Sequence, residues 1–410
     1  ERTTMAISCN GGTNMSIDHS QGPLTGIRVV DMSVMISGPL AGMTLADQGA
    51  EVIKVESPGL GDMMRYLGSQ KNGITGIYAL HNRGKKSLVV DLKKPEGTEV
   101  LRSLVASADV LIQNFRPGAV ERLGFGYEDV KAINPNIVYV SIAGFGADGP
   151  SSNRRVYDNV IQAASGLASV QTDPATGKPA IFKHLICDKV TAYTVAQAIT
   201  AALFARERGA GGQHITVSML DAAIAFTWPD CAMDVALLDE DALRTATISS
   251  SYSAMEFKDG YATSSVVTQS EFEGYCAALG VPEVAVDERF KDREARAVNA
   301  VALKEIVVRQ LQTISVHDFL EGALVHDVPA SGLNTLATVI DDPQVIHNET
   351  FFIREHPQAG SMREVRNAPR FKGTPTKTQP PAPAMGADSD EIVSSLGLDA
   401  AALRAAGIIF

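Results

Sequence analysis

From Gly26 onward, short apolar and β-branched runs alternate with segments whose apolar positions recur at helical spacing. GIRVVDMS reads as a buried strand. GPLAGMTLADQGA, with Pro39 in its first turn and Gly49 near its end, reads as a helix. EVIKVES and SLVVDL are a second and third strand, PEGTEVLRSLVASA a helix, and ADVLIQNF and IVYVSIAGF two further strands. HITVSML, residues 214–220, is one more. Strands that alternate with helices in this way predict an α/β fold, a parallel sheet with helices on both faces.

The pattern changes after about Thr227. YSAMEFKDGYATSSV predicts a β-hairpin turning at Asp259-Gly260, and helical segments follow to about Leu324. The expected organisation is a loose arm over residues 1–22, a large domain whose first part covers 23–226, and a small α+β domain over 227–325. A linker and closing segment over 326–410 completes it. There TPTKTQPPAPAMG reads as an extended connection, and DSDEIVSSLGL as a last helix behind acidic capping residues.

Composition narrows the functional classes. In 410 residues the net charge is -11, which argues against broad nucleic-acid or membrane-surface binding, because both need a positive field. Cys9, Cys187, Cys231 and Cys276 are widely spaced, so neither a disulfide framework nor a metal site is expected, and a reducing cytoplasmic setting fits. The first 22 residues lack the apolar core of a signal peptide, and no run reaches the roughly 18 apolar residues of a membrane span.

Few motifs carry chemistry. GFGADG, Gly144–Gly149, matches G-x-G-x-x-G, but Pro150-Ser151-Ser152-Asn153 follows where a dinucleotide fingerprint opens a helix, so a turn is the better reading. Basic residues cluster at Arg65, Arg83 to Lys86, Lys93-Lys94, Arg116, Arg122 and Arg154-Arg155. Each alone reads as a solvated charge. Several fall near the C-terminal ends of proposed parallel strands, where a phosphate-bearing ligand would bind.

Asp188 stands before a long apolar helix, in FKHLICDKV. An Asp there ordinarily caps the helix, and the helix dipole favours its charged form. The apolar flank HLIC instead places a carboxylate in a dry setting, which makes it a candidate nucleophile or base. The residues alone leave both readings open.

Taken in order, PLTGIRVVDMS, SGPLAGMTLADQGAEVIKVESPGLGDMMR, NRGKKSLVVDLKKPEG, NFRPGAVERLGFGYEDV, NPNIVYVSIAGFGADGP, YDNVIQAASGL and ARERGAGGQHITVSMLDA resemble the family III CoA-transferases, also called the CaiB/BaiF family. The resemblance covers nearly the whole chain from Pro23. It implies a large Rossmann-like domain to which residues 326–410 return, a smaller α+β domain, and an interlocked homodimer. It implies covalent transfer of CoA from an acyl-CoA to a small carboxylic acid, with no permanently bound cofactor, no metal, and no nucleic-acid or membrane partner. Asp188 matches the family's nucleophile. Ile36, Ser37, Val90, Lys93, Asn114, Phe115, Arg116, Arg122 and Arg155 match positions around CoA, and Tyr157 and Asp158 match positions beside the thioester. Tyr157 stands where the family's 2-methylacyl-CoA racemases use a His, which counts against racemisation as the alternative activity. The glycine-rich loop of the formyl-CoA transferase branch is not visible between Ser249 and Ser270. A non-catalytic acyl-CoA binding protein is the third reading.

Overall fold

The computed structural model describes residues 22–410 except Pro174 and Ala246, so Cys9 and the expected arm, apart from Gly22, lie outside the described residues. The chain divides into two compact units. One takes the chain up to Pro229 together with Thr350–Phe410, and the other is Asp230–Glu349.

Six parallel strands organise the first unit: β1 (Arg28–Asp31), β2 (Glu51–Glu56), β3 (Lys85–Val89), β4 (Val110–Gln113), β5 (Val138–Ala143) and β6 (Gln213–Ser218). They lie in the order β3-β2-β1-β4-β5-β6. This is the doubly wound order of a nucleotide-binding sheet, and its direction reverses between β1 and β4. The strands are largely apolar on both faces because both are covered. Val29 and its neighbour Val30 show the split. Val29 packs with Leu40 and Leu45 of α1 (Ser37–Asp47), whereas Val30 packs with Val100, Leu101 and Leu104 of the helix on the opposite face. Burying each such side chain stabilises the fold by about 1.5–3 kcal/mol.

Further helices complete the part that positions the site: α2 (Gly76–Asn82), α3 (Pro95–Ala106), α4 (Asp158–Ala164), α5 (Ile186–Ala205) and α6 (Met219–Cys231). HITVSML divides at Ser218, where β6 ends and α6 begins. GFGADG is a turn. Gly146 and Gly149 take positive φ, and the next helix starts only at Asp158. Gly144 has no room for a side chain, since a Cβ would lie 2.3 Å from Val156.

The closing segment adds a hairpin, Phe351–His356 with Gly360–Val365, and two helices, Ser389–Ser395 and Ala400–Ala405. The proline-rich connection is extended, and its carbonyls accept from the unit's own groups: Pro380 from the Gly84 N–H and Pro383 from Arg65. Asp388 does not cap the helix that follows it. Its Oδ2 accepts the Ser87 N–H at 2.8 Å and so ties that helix to β3.

In the second unit three antiparallel strands, Met255–Phe257, Gly260–Ser264 and Ala330–Gly332, pack with helices around Phe257, Tyr275 and Phe319. The hairpin turns at Lys258-Asp259, one residue earlier than expected. Gly260 is already paired with Phe257, and Asp259 accepts the Val316 N–H at 2.9 Å. No helix among the described residues is long and apolar enough to cross a membrane.

Candidate active site

The loop from β1 to α1 lies at the switch point of the sheet, and several polar contacts hold it. Asn114, just past β4, clamps Val34 twice, accepting its N–H at 2.9 Å and donating to its carbonyl at 2.7 Å. Asp62 accepts the Met35 N–H at 3.1 Å. Met35 is left-handed with φ of 67°, a strained conformation for a non-glycine residue and of the kind that collects at functional loops. Gly38 makes the tight return possible, because a Cβ there would meet the Ser33 side chain at 2.2 Å.

Charge beneath the loop is buried and paired. Lys85 bonds Asp31 at 2.8 Å, Lys54 bonds Asp62 at 2.8 Å, and Arg65 bonds Glu56 at 2.6 Å. Burial pushes the Lys85 ammonium down to about 8 against the pull of Asp31. Burial alone would raise Asp31, but Lys85 and Lys54 hold its carboxyl below the usual range. Part of the expected basic cluster is therefore internal scaffolding. Arg65 and Lys85 serve this network, Arg83 pairs with Asp47 at 2.6 Å, and Lys94 donates to the Ala406 and Gly407 carbonyls. Side chains needed to offset buried carboxylates are not available to a ligand.

The other basic candidates are exposed. Lys93 follows β3, Arg116 and Arg122 follow β4, and Arg155 follows β5. None of the four has an ion-pair partner among the described residues. Lys93 and Arg116, like Ile36, Ser37, Asn114 and Phe115, lie within six residues of the C-terminal end of a strand, whereas Arg122 and Arg155 stand farther along the chain. Val90 is different: its side chain is buried in the core and its N–H is bonded to the Glu56 carbonyl.

Asp188 lies in the first turn of α5, three residues after the N-cap Leu185, so it is not itself the cap. Asp158 supplies that function from α4, its Oδ2 accepting the Asp188 N–H at 2.9 Å. The Ser37 N–H, at the N-terminus of α1, faces the Asp188 carboxyl and favours its charged form. Two helix N-termini therefore converge on one carboxyl. That geometry suggests a firmly ionised group, yet the balance falls the other way. Burial first, and then the Asp158 charge, push Asp188 up from 3.8 to about 7, and the Ser37 N–H only partly offsets them. A carboxylate poised there is a stronger nucleophile than an ordinary aspartate. Burial and the two carboxylates push the neighbouring Cys187 thiol up to about 12, which leaves it unreactive.

Beside the pair opens a cavity of about 320 Å³ lined by Tyr157, Asp158, Asn159, Gln162 and the strap Phe182–Leu185. Tyr157 is 62 % exposed over it, whereas Asp158 is 3 % exposed. Sequence reasoning missed Gln162, whose spacing of four from Asp158 on one helix face was the available signal. It also left Lys189 without a role. The Lys189 Nζ lies 3.0 Å from His184 Nε2 and braces the strap.

The description CoA-transferase family III matches residues 24–389. The succinate–glutarate CoA-transferase of Agrobacterium fabrum is 32% identical over 384 residues, covering 91% of this chain and 96% of that protein. The human succinyl-CoA:glutarate CoA-transferase is 32% identical over 378 residues, covering 91% of this chain and 86% of its own. Among solved structures, a CaiB/BaiF family protein from Brucella suis superposes with a TM-score of 0.81 at 31% identity, over 92% of this chain and 100% of its own. A match this extensive, on a doubly wound sheet with a carboxyl at its switch-point edge, places the chain among the family III CoA-transferases, enzymes that pass CoA between acyl-CoA and carboxylate.

Proposed function

We propose that this enzyme transfers CoA through acyl intermediates on Asp188. The Asp188 carboxylate attacks the donor thioester carbonyl, the C–S bond breaks, and CoA thiolate leaves behind an aspartyl-acyl anhydride. The thiolate attacks the aspartyl carbonyl, releasing the donor acid and forming an aspartyl-CoA thioester. The acceptor carboxylate attacks that thioester in turn, and the returning thiolate takes the acceptor acyl group and restores Asp188. Every step exchanges one acyl bond for another, so atoms and electrons balance with no oxidant or nucleotide.

The observation that carries this reading is the environment of Asp188: a half-buried carboxyl at two helix N-termini, raised by burial and by Asp158. The Ser37 N–H is placed to support negative charge on the reacting group. Ile36, Lys93, Asn114, Phe115, Arg116, Arg122 and Arg155, with the Val90 backbone, are the proposed CoA contacts along the strand ends, and Tyr157 and Asp158 face the thioester. Because the relatives named above act, by their names, on succinate and glutarate, small dicarboxylates are the acids we propose. The assembly we propose is a homodimer. α5 is mostly apolar, yet Tyr193 and Phe204 on it are more than half exposed, as are Phe226 and Trp228 on α6. No observation favours racemase chemistry or a non-catalytic role.

The test is Asp188→Ala assayed for transfer from succinyl-CoA to glutarate, with CoA binding followed by calorimetry. Loss of transfer with CoA binding retained is expected. Transfer that survives the substitution would refute the mechanism.

A further inference from the structure

The strap Phe182–Leu185 delivers Asp188 to the site, yet α5 has no side-chain cap of its own. One side chain organises both the strap and the substitute cap. Gln162, 1 % exposed, accepts the Phe182 N–H at 2.9 Å through its amide oxygen. Its amide nitrogen donates to the Phe182 carbonyl at 3.3 Å, the His184 carbonyl at 3.1 Å and Asp158 Oδ1 at 2.5 Å. Asp158 is thereby turned so that its other oxygen meets the Asp188 N–H. A primary amide suits this position, since no other neutral side chain offers two donors and two acceptors in one plane. The His184 carbonyl also accepts the Ile186 N–H at 2.9 Å, so the same contact fixes the first residue of α5.

We propose that Gln162 is a positioning residue for the nucleophile, acting through Asp158 and the strap to set where the Asp188 carboxyl sits and how much negative charge it faces. The proposal rests on Asp188 being the nucleophile. Groups facing Asp188 from the surrounding elements are few. Asp158 comes from α4, and Cys187 and Lys189 from its own helix. Lys189 is engaged with His184 of the strap and lies near His81 of α2. From α1 comes the Ser37 N–H; the acidic residue of that helix, Asp47, is at its far end and paired with Arg83. Asp158 is therefore the carboxylate whose placement matters. Without the Gln162 donor it is free to swing away, and it then repels the Asp188 charge less.

The experiment compares Gln162→Met, Asp158→Ala and the double variant, with CoA affinity as the folding control and the pH profile of kcat/KM as the positional readout. Gln162→Met is expected to bind CoA as wild type while kcat falls by about ten- to a hundredfold, the loss expected of a mispositioned reacting group. Its acid limb is expected to move to lower pH by about half a unit or more, because Asp158 no longer holds the nucleophile up. In the Asp158→Ala background the same substitution is expected to cost less than it does in wild type, since only its strap contacts then remain to be lost. A CoA-binding Gln162→Met with wild-type kcat and pH profile overturns the inference, and so do losses that multiply in the double variant. Where Gln162→Met does not bind CoA, Gln162→Asn, which keeps the amide but retracts it by one methylene, is read by the same criteria. Transfer surviving in Asp188→Ala overturns the nucleophile reading and this inference with it. An inactive Asp188→Ala beside an unimpaired Gln162→Met overturns this inference alone.

Discussion

At the scale of the residue, the chemistry turns on how Asp188 is charged. Its carboxyl is raised from 3.8 to about 7, first by burial and then by Asp158. The reacting species is the carboxylate, so kcat/KM is expected to rise with pH through about 7, and Asp158→Asn to move that limb to lower pH. The same shift appears in stability. Between the two values the folded chain keeps a proton that the unfolded chain has lost, so stability falls as pH rises across that window. Asp188→Asn removes this penalty and should make the protein more stable than wild type at pH 8, by about 1–4 kcal/mol in urea unfolding. Equal or lower stability would show that Asp188 is not raised. The candidacy of Asp188 was legible in the sequence because HLIC is an apolar approach to a carboxylate. Its protonation was not, because the opposing charge of Asp158 comes from thirty residues away. The helix dipole, which is local, pointed to the opposite conclusion.

At the scale of the element, the β1–α1 loop depends on charge hidden beneath it. The Lys85 Nζ bonds Asp31, the Asn82 side chain and the Pro39 carbonyl, each at 2.8 Å, so a residue of β3 supports the first turn of α1. Lys85→Met should destabilise the enzyme by about 3–5 kcal/mol, because Asp31 loses its ion-pair partner while remaining buried. A loss below about 1 kcal/mol in urea unfolding would contradict this. The strands of the sheet were readable as runs rich in apolar residues, since both faces are covered, although Asp31, Lys54 and Lys85 are buried within them. The hairpin Phe351–Val365 was not, because it is short and rich in charged residues such as Arg354 and Glu364. Nor could the run Arg83 to Lys86 be divided by inspection into buried and exposed charges. Alternation along β3 sends Lys85 inward, while Lys86 reaches Glu51 and Glu391 near the surface.

At the scale of the whole molecule, alternation along the chain predicts the parallel sheet, and the order β3-β2-β1-β4-β5-β6 sets its switch point between β1 and β4. Order across the sheet was not legible, because apolar runs carry no record of which strand they will pair with. The apolar residues left exposed on α5 and α6 bear on assembly. Sedimentation velocity at micromolar concentration should find a species of twice the chain mass, and a monomer would refute the proposed homodimer. The acyl-aspartyl mechanism is tested most directly by supplying the enzyme with succinyl-CoA and hydroxylamine and sequencing its peptides by mass spectrometry. A hydroxamate on Asp188 is the predicted result; an unmodified Asp188 in an enzyme that is turning over would contradict the account.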